Sequence, residues 1–325
     1  MPLFDLPLAD LQTYAPDIAE PDDFDAFWRR TLAEAREHDL ALTLTPATSH
    51  LRHVEVFDVT FAGFGGHPIK AWYARPTGVQ GELPVVVNYL GYSGGRGLPW
   101  ETTLFPSAGY AYLRVDSRGQ GWSHGSPGDT PDPVGHTPAV PGVMTRGLES
   151  PDTYYYRRLF TDAARAVDAA REIPGIARDA VVVSGGSQGG GIAIATAALV
   201  PDVAGLMADV PFLQHLRRAV ELVPNAPYSE ITAYLATHRD AVEQTWRTIS
   251  YIDGANMASR GRAPSLWSVA LMDATCPPST VYASYNRYGG PKTIEVYRYN
   301  AHEGGGGFQI GRQLAWLAGL FAGKR

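Results

Sequence analysis

The chain of 325 residues carries a single cysteine, Cys276. That excludes an intrachain disulfide and any zinc site built on paired thiolates. Lysine is nearly as scarce, with Lys70, Lys292 and Lys324 the only three among 27 basic residues. Charged residues amount to 18%, below the roughly 25% of an ordinary globular chain. The net charge is −6 and no basic run occurs, so nucleic acid is not an expected partner. The longest apolar region, around 192–212, is broken by Pro201-Asp202 and by Asp209, short of a clean membrane span. Met1-Pro2-Leu3-Phe4-Asp5 offers no basic segment followed by an apolar one. These absences lead to the expectation of a soluble, cytoplasmic protein with no membrane partner. No histidine pair has metal-ligand spacing, and no Gly-Lys-Ser/Thr sequence exists. No metal and no cofactor are expected.

What the chain does have is apolar surface, 45% of its residues, enough to offset the entropy of ordering. Phe24, Phe27, Trp28, Thr31, Leu32 and Ala35 recur at helical spacing behind Pro21. Val54–Phe61 and Ile69–Tyr73 flank a glycine turn and read as an antiparallel hairpin. Short apolar runs then alternate with helical or loop stretches: 84–89, 110–115, 180–184, 205–208, 266–272 and 293–299. The helices between them include 156–173 and 190–199, and Ile310, Leu314, Leu317 and Phe321 mark a last one. Several runs are apolar on both faces, as buried parallel strands must be. The fold class is therefore α/β, a mostly parallel, doubly wound sheet flanked by helices. No repeat or linker divides the chain, so residues 1–325 read as a single domain. Within it, 1–45 is a helical N-terminal extension, 123–150 a Gly- and Pro-rich insertion, and 214–262 a cap-like helical segment.

The strongest chemical signal is Gly185-x-Ser187-x-Gly189, directly after a β run and directly before a helix. In that context the pattern describes a nucleophile elbow, where small neighbours let strand and helix pass closely around a serine on a strained turn. A plain glycine turn is the duller reading, and the flanking strand and helix count against it. An elbow serine needs an acid and then a histidine later in the chain. His302 follows the last strand and is the expected base, whereas His215 and His238 lie in the cap-like segment and read as surface polar residues. Asp273, past the run 266–272, is the expected acid, with Asp209 at the preceding strand end as its rival. Glu303, next to the base, is expected to cap the following helix. For the oxyanion hole the pattern offers the N–H of Gln188 and, from the glycine-rich loop 90–97, that of Tyr92. Asp116-Ser117-Arg118-Gly119-Gln120-Gly121 lacks phosphate-loop spacing, and Arg118 there reads as an arginine that fixes neighbouring loops.

Taken together, these residues resemble carbohydrate esterase family seven, the acetyl xylan esterases and cephalosporin-C deacetylases of the α/β-hydrolase superfamily. The motifs that carry the resemblance are Arg118-Gly119-Gln120, Gly185-x-Ser187-Gln188-Gly189 and His302-Glu303. Further matches run from Phe4-Asp5-Leu6-Pro7-Leu8 and Phe24-Asp25-x-Phe27-Trp28 through Tyr154-Tyr155-Tyr156-Arg157-Arg158 to Leu271-Met272-Asp273-x-x-Cys276-Pro277-Pro278. Ala270 departs from the glycine expected before Leu-Met-Asp. The resemblance implies the α/β-hydrolase fold, a Ser187, His302 and Asp273 triad, and oxyanion donors from Tyr92 and Gln188. It also implies removal of short acyl groups, acetyl above all, from xylo-oligosaccharides or cephalosporin C. It further implies a homo-oligomer, a hexamer, with 123–150 at the interface. The alternatives are another serine hydrolase (a thioesterase, a peptidase or a longer-chain carboxylesterase) or a non-catalytic hydrolase-fold binding module.

Overall fold

A computed structural model describes residues 3–123, 125–135 and 139–322. Nine strands form one sheet: β1 (Thr43–Pro46), β2 (Val54–Ala62), β3 (Pro68–Pro76), β4 (Leu83–Tyr89), β5 (Ala111–Val115), β6 (Ile176–Gly186), β7 (Gly205–Asp209), β8 (Ser265–Ala270) and β9 (Lys292–Tyr297). Their spatial order is β1-β2-β3-β5-β4-β6-β7-β8-β9. The first three run antiparallel to their neighbours, and β5 through β9 pair in parallel. This is the mostly parallel sheet that the alternating apolar runs predict, and it is the α/β-hydrolase fold that the family resemblance implies.

The apolar-on-both-faces reading of the central strands has a direct structural counterpart. Val85, Val87, Val181 and Val183 pack into one cluster with the helices Tyr155–Glu172 and Gln188–Leu199. Val86, Val182 and Met207 alternate with them into a second cluster, closed by Phe105, Leu317 and Phe321. Burial on both faces stabilises each such side chain by about 1.5–3 kcal/mol relative to exposure. The expected helix over Phe24–Ala35 is present as Phe24–Arg36, and the hairpin as β2 and β3.

Two differences from the sequence reading place the site. The run 266–272 ends as a strand at Ala270, so Leu271 and Met272 leave the strand and Asp273 stands in the turn beyond it. The run 293–299 likewise ends at Tyr297. The four-residue edge strand β1 and the helix Pro278–Arg287 carry no periodicity strong enough to announce them. That helix anchors the N-terminal segment: its first-turn Ser279 N–H donates to Asp5 at 2.7 Å, and Asn286 Nδ2 donates to the carbonyls of Leu11 and Tyr14.

The segment 214–262 lies between β7 and β8 and holds the helices Leu216–Leu222, Tyr228–Thr237, Val242–Ser250 and Gly254–Ala258. The stretch 123–150 has no helix or strand among its described residues; residue 124 and residues 136–138 lie outside them. Among the described residues no helix is long and apolar enough to cross a membrane.

Candidate active site

The chain order of the strands reverses around β4, which pairs with β5 on one side and β6 on the other. At such a switch point the loops leaving the two strand ends diverge and open a crevice at the carboxyl edge. Tyr89 pairs with Gly185, so the loop after β4 and the turn after β6 rise side by side. Ser187 occupies that turn with φ 55° and ψ −123°, a left-handed conformation costly for a residue with a Cβ. Its neighbours make the turn possible. A Cβ on Gly185 would overlap the Gly189 backbone, and one on Gly189 would overlap the carbonyl of Tyr89. The strain is held by backbone hydrogen bonds: Ser187 N–H donates to the Asp209 carbonyl at 2.9 Å, and Phe212 N–H to the Ser187 carbonyl at 2.9 Å.

The turns after β8 and β9 supply the other two residues of the expected triad. Asp273 is fully buried, and its Oδ1 accepts the backbone N–H of Thr275 at 2.8 Å and of Cys276 at 2.9 Å. Its Oδ2 lies 2.8 Å from His302 Nδ1. A carboxylate accepts only, so Nδ1 carries the hydrogen, and Nε2 is left with a lone pair. His302 is partly exposed and lines the same cavity as Ser187. The loop turns back through Gly304 and Gly305, at φ 58° and 88°, into the last helix, Gly306–Leu320.

Asp209, the rival acid, faces elsewhere. Gln309 Nε2 donates to its Oδ1 at 2.7 Å and Gln313 Nε2 to its Oδ2 at 2.5 Å, both from the last helix. Burial outweighs those bonds and pushes its carboxyl up to about 6. Glu303 requires a correction. Its carboxylate accepts from Asn300 Nδ2 at 2.7 Å and from Ala301 N–H at 3.0 Å, upstream of itself, while the helix that follows has Gly305 at its N-cap and no side-chain cap. The exposed carboxylate tightens the turn that carries His302, and its hydrogen bonds, Asn300 first, hold the carboxyl below the usual carboxylate range. His215 is corrected too. It is half-buried at 6.2 Å from the Tyr14 ring, and burial lowers it to about 4. His238 is exposed.

The N–H groups of Tyr92 and Gln188 meet no acceptor among the described residues. Two neighbouring groups are engaged. Ser93 N–H donates to Gln120 Oε1 at 2.7 Å, and Gln188 Nε2 donates to the Leu90 carbonyl at 3.3 Å. Gln120 Nε2 also reaches Gln188 Oε1 at 3.1 Å, so one buried amide ties the loop after β4 to the turn after β6. Arg118, two residues earlier, is fully buried. Its guanidinium grips both oxygens of Asp162, at 2.5 and 2.7 Å, and lies 3.5 Å from Asp132. Gly119, at φ 63°, lets the chain turn between them. The arginine thus ties its own loop to the helix Tyr155–Glu172 through Asp162 and to the turn at Asp132.

A cavity of about 660 Å³ opens over these groups, with Leu90, Tyr92, Trp122, Phe212, Pro227 and Glu230 in its walls. Two neighbours had no site role in the sequence reading. Glu230 lies in the cap-like segment, where nothing in the local pattern distinguishes it. Cys276 is buried, with the Ser187 and Tyr228 hydroxyls against its thiol. Ligand atoms of Asp273, Cys276 and His302 lie within 4.8 Å of one another. A metal would have to displace the His302–Asp273 hydrogen bond and ionise a thiol that burial pushes well up, so this donor set fits a hydrogen-bonded array better than a metal centre.

A model of the family described as acetyl xylan esterase (AXE1) matches residues 1–320. Among solved structures, an acetyl xylan esterase from a Paenibacillus species superposes with a TM-score of 0.90 at 38% identity, covering 97% of this chain and 99% of its own. Acetyl xylan esterase 1 from a Thermoanaerobacterium species gives 0.90 at 33% identity, with 98% and 100% covered. Acetyl esterase Axe7A from Xylanibacter ruminicola is 26% identical over 301 residues, 88% of this chain. The chain spans 64% of the length of that curated relative. With a family match over nearly its whole length and two close structural neighbours, the chain belongs to the acetyl xylan esterase (AXE1) family.

Proposed function

We propose that this protein is a serine esterase that removes acetyl groups from acetylated sugars, xylo-oligosaccharides first among them, through an acyl-Ser187 intermediate. The observation that carries the reading is the 2.8 Å contact from His302 Nδ1 to buried Asp273, at the rim of the cavity that exposes Ser187. His302 Nε2 takes the Ser187 proton as Oγ attacks the acetyl carbonyl, and Asp273 stabilises the imidazolium that forms. The negative oxygen of the tetrahedral intermediate is received by the free N–H groups of Tyr92 and Gln188, the latter at the positive end of a helix. The sugar hydroxyl leaves with the proton from His302. Water then repeats the sequence on the acyl-enzyme and releases acetate. Glu303 and Gln120 act behind these groups, one shaping the base's turn and the other joining the two oxyanion segments.

The test is initial rates on 4-nitrophenyl acetate, butyrate and octanoate, on acetylated xylo-oligosaccharides and on cephalosporin C, for the native protein and Ser187→Ala. Expected are rates that fall steeply with acyl length, a serine-dependent rate on the acetylated sugar, and loss of about 10⁴-fold or more in the variant. Rates that rise with chain length would discard the deacetylase reading while keeping the triad. Cephalosporin C turnover would extend the alcohol side beyond sugars.

The same reading includes a hexameric homo-oligomer with 123–150 at its interface. Its support is the apolar surface that this stretch leaves in water: Val134 is 52% exposed and Val140 38%. Light scattering that returned a monomer mass would remove this part of the proposal.

A further inference from the structure

Glu230 stands on the first turn of the helix Tyr228–Thr237, inside the cap-like segment, and its two oxygens gather three distant stretches of chain. Oε1 accepts the Tyr92 hydroxyl at 2.5 Å and the Gly142 N–H at 3.3 Å, and Oε2 accepts the Met144 N–H at 3.0 Å. The Tyr92 ring is also boxed edge-on by Trp122, at 5.6 Å, and by Phe212, at 6.3 Å. Burial pushes the Tyr92 phenol up and the adjacent carboxylate pushes it the same way, so the hydroxyl remains a donor across the neutral range.

These contacts bear on one atom that matters for the proposed chemistry. The peptide before Tyr92 has a free N–H, and Gly91, with no Cβ, does little to fix its plane. Among the described residues its carbonyl side is held only by the Gly94 N–H, at 3.1 Å. The Tyr92 amide turns relative to Cβ through the torsion about N–Cα. A ring boxed on two sides and tethered at its far end narrows that torsion and so restricts where the amide can point.

We propose that Glu230 is a positioning residue for the reaction, holding the Tyr92 side chain so that the Tyr92 N–H is aimed at the developing oxyanion. The inference rests on the serine-esterase reading above. Because the interaction acts on charge that appears only in the transition state, losing it lowers kcat and leaves KM nearly unchanged. Removing an oxyanion donor outright costs about 10²–10³ in rate, and mis-aiming one should cost about tenfold.

The experiment uses Tyr92→Phe, Glu230→Gln and the double variant, assayed on 4-nitrophenyl acetate with active sites counted by burst titration. Tyr92→Phe keeps the ring, its packing and its backbone N–H, and loses only the tether. Expected is a fall in kcat of about tenfold for each single variant with KM within about twofold. The double variant should be no slower than the worse single, because both break the same link. Inhibition by a trifluoromethyl ketone, whose adduct with Ser187 places a negative oxygen in the hole, should weaken in parallel with kcat/KM.

Tyr92→Phe with native kcat overturns the proposal, even if Glu230→Gln is slow or melts early. That pattern would assign Glu230 only to holding Gly142 and Met144. Additive losses in the double variant overturn it as well. Failure of the underlying reading looks different: no native turnover, or turnover that survives Ser187→Ala.

Discussion

Asp209 closes β7 and Asp273 follows β8, two neighbouring parallel strands whose ends meet the same edge of the sheet. Each carboxylate is bonded on both oxygens, yet the donors differ in kind. Asp273 receives two backbone N–H groups and an imidazole. Asp209 receives two glutamine amides from the last helix, while its backbone carbonyl holds the Ser187 N–H. One acid is coupled to a group that can take a proton and change charge. The other is coupled to groups that cannot. On the proposed reading, position at the sheet edge does not make a catalytic acid; the titrating partner does.

The comparison breaks most visibly at Asp273. Asp273→Asn should lower kcat/KM on 4-nitrophenyl acetate by about 10³–10⁴-fold, since an amide facing Nδ1 favours the wrong imidazole tautomer. A loss under tenfold would mean that His302 needs no carboxylate. Gln313→Leu removes a donor from Asp209, and chemical denaturation should show a stability loss of about 1–3 kcal/mol, with activity per folded molecule retained.

The pH dependence sharpens the contrast further. Folding raises the Asp209 carboxyl from its ordinary value to about 6, so the native state binds that proton more tightly than the unfolded chain. Its contribution is fully present below pH 4 and is lost as the pH rises through 6. Relative to Asp209→Asn, the native protein should therefore lose stability on the order of 1–2 kcal/mol between pH 4 and 7. A flat difference between the two denaturation series contradicts the assignment. The smallest effect is on turnover: Asp209→Asn should change kcat at neutral pH by less than about threefold, because the carboxylate touches none of the reacting groups.

Much of this was legible in the chain. The elbow announces itself through Gly185, Ser187 and Gly189 because its geometry tolerates few residues, and strand and helix patterns flank it on either side. His302 and Asp273 followed from chain order and strand ends. Asp273 was preferred to Asp209 on strand-end position alone, and the glutamines that engage Asp209 sit 100 and 104 residues downstream of it, outside any local pattern. Glu303 was misjudged for a local reason: its carboxylate found N–H donors in its own turn before it could reach a helix. Glu230 left no trace in the pattern, because its partners are separated from it by 138, 88 and 86 residues. Contacts of that kind are written by the tertiary fold alone.

The residue proposed as base hangs from one of the two edge strands. β9 is paired on one side only and is mostly half-buried, whereas Ser187 and the loop that carries Tyr92 rise from β6 and β4 at the heart of the sheet. Edge elements open first when a protein is warmed, with a free energy well below that of global unfolding. Peeling β9 would carry His302 away while leaving the cavity, the elbow and most of the core in place. Heat should then silence the enzyme reversibly before it melts, and recovery on cooling should follow the re-docking of a single strand.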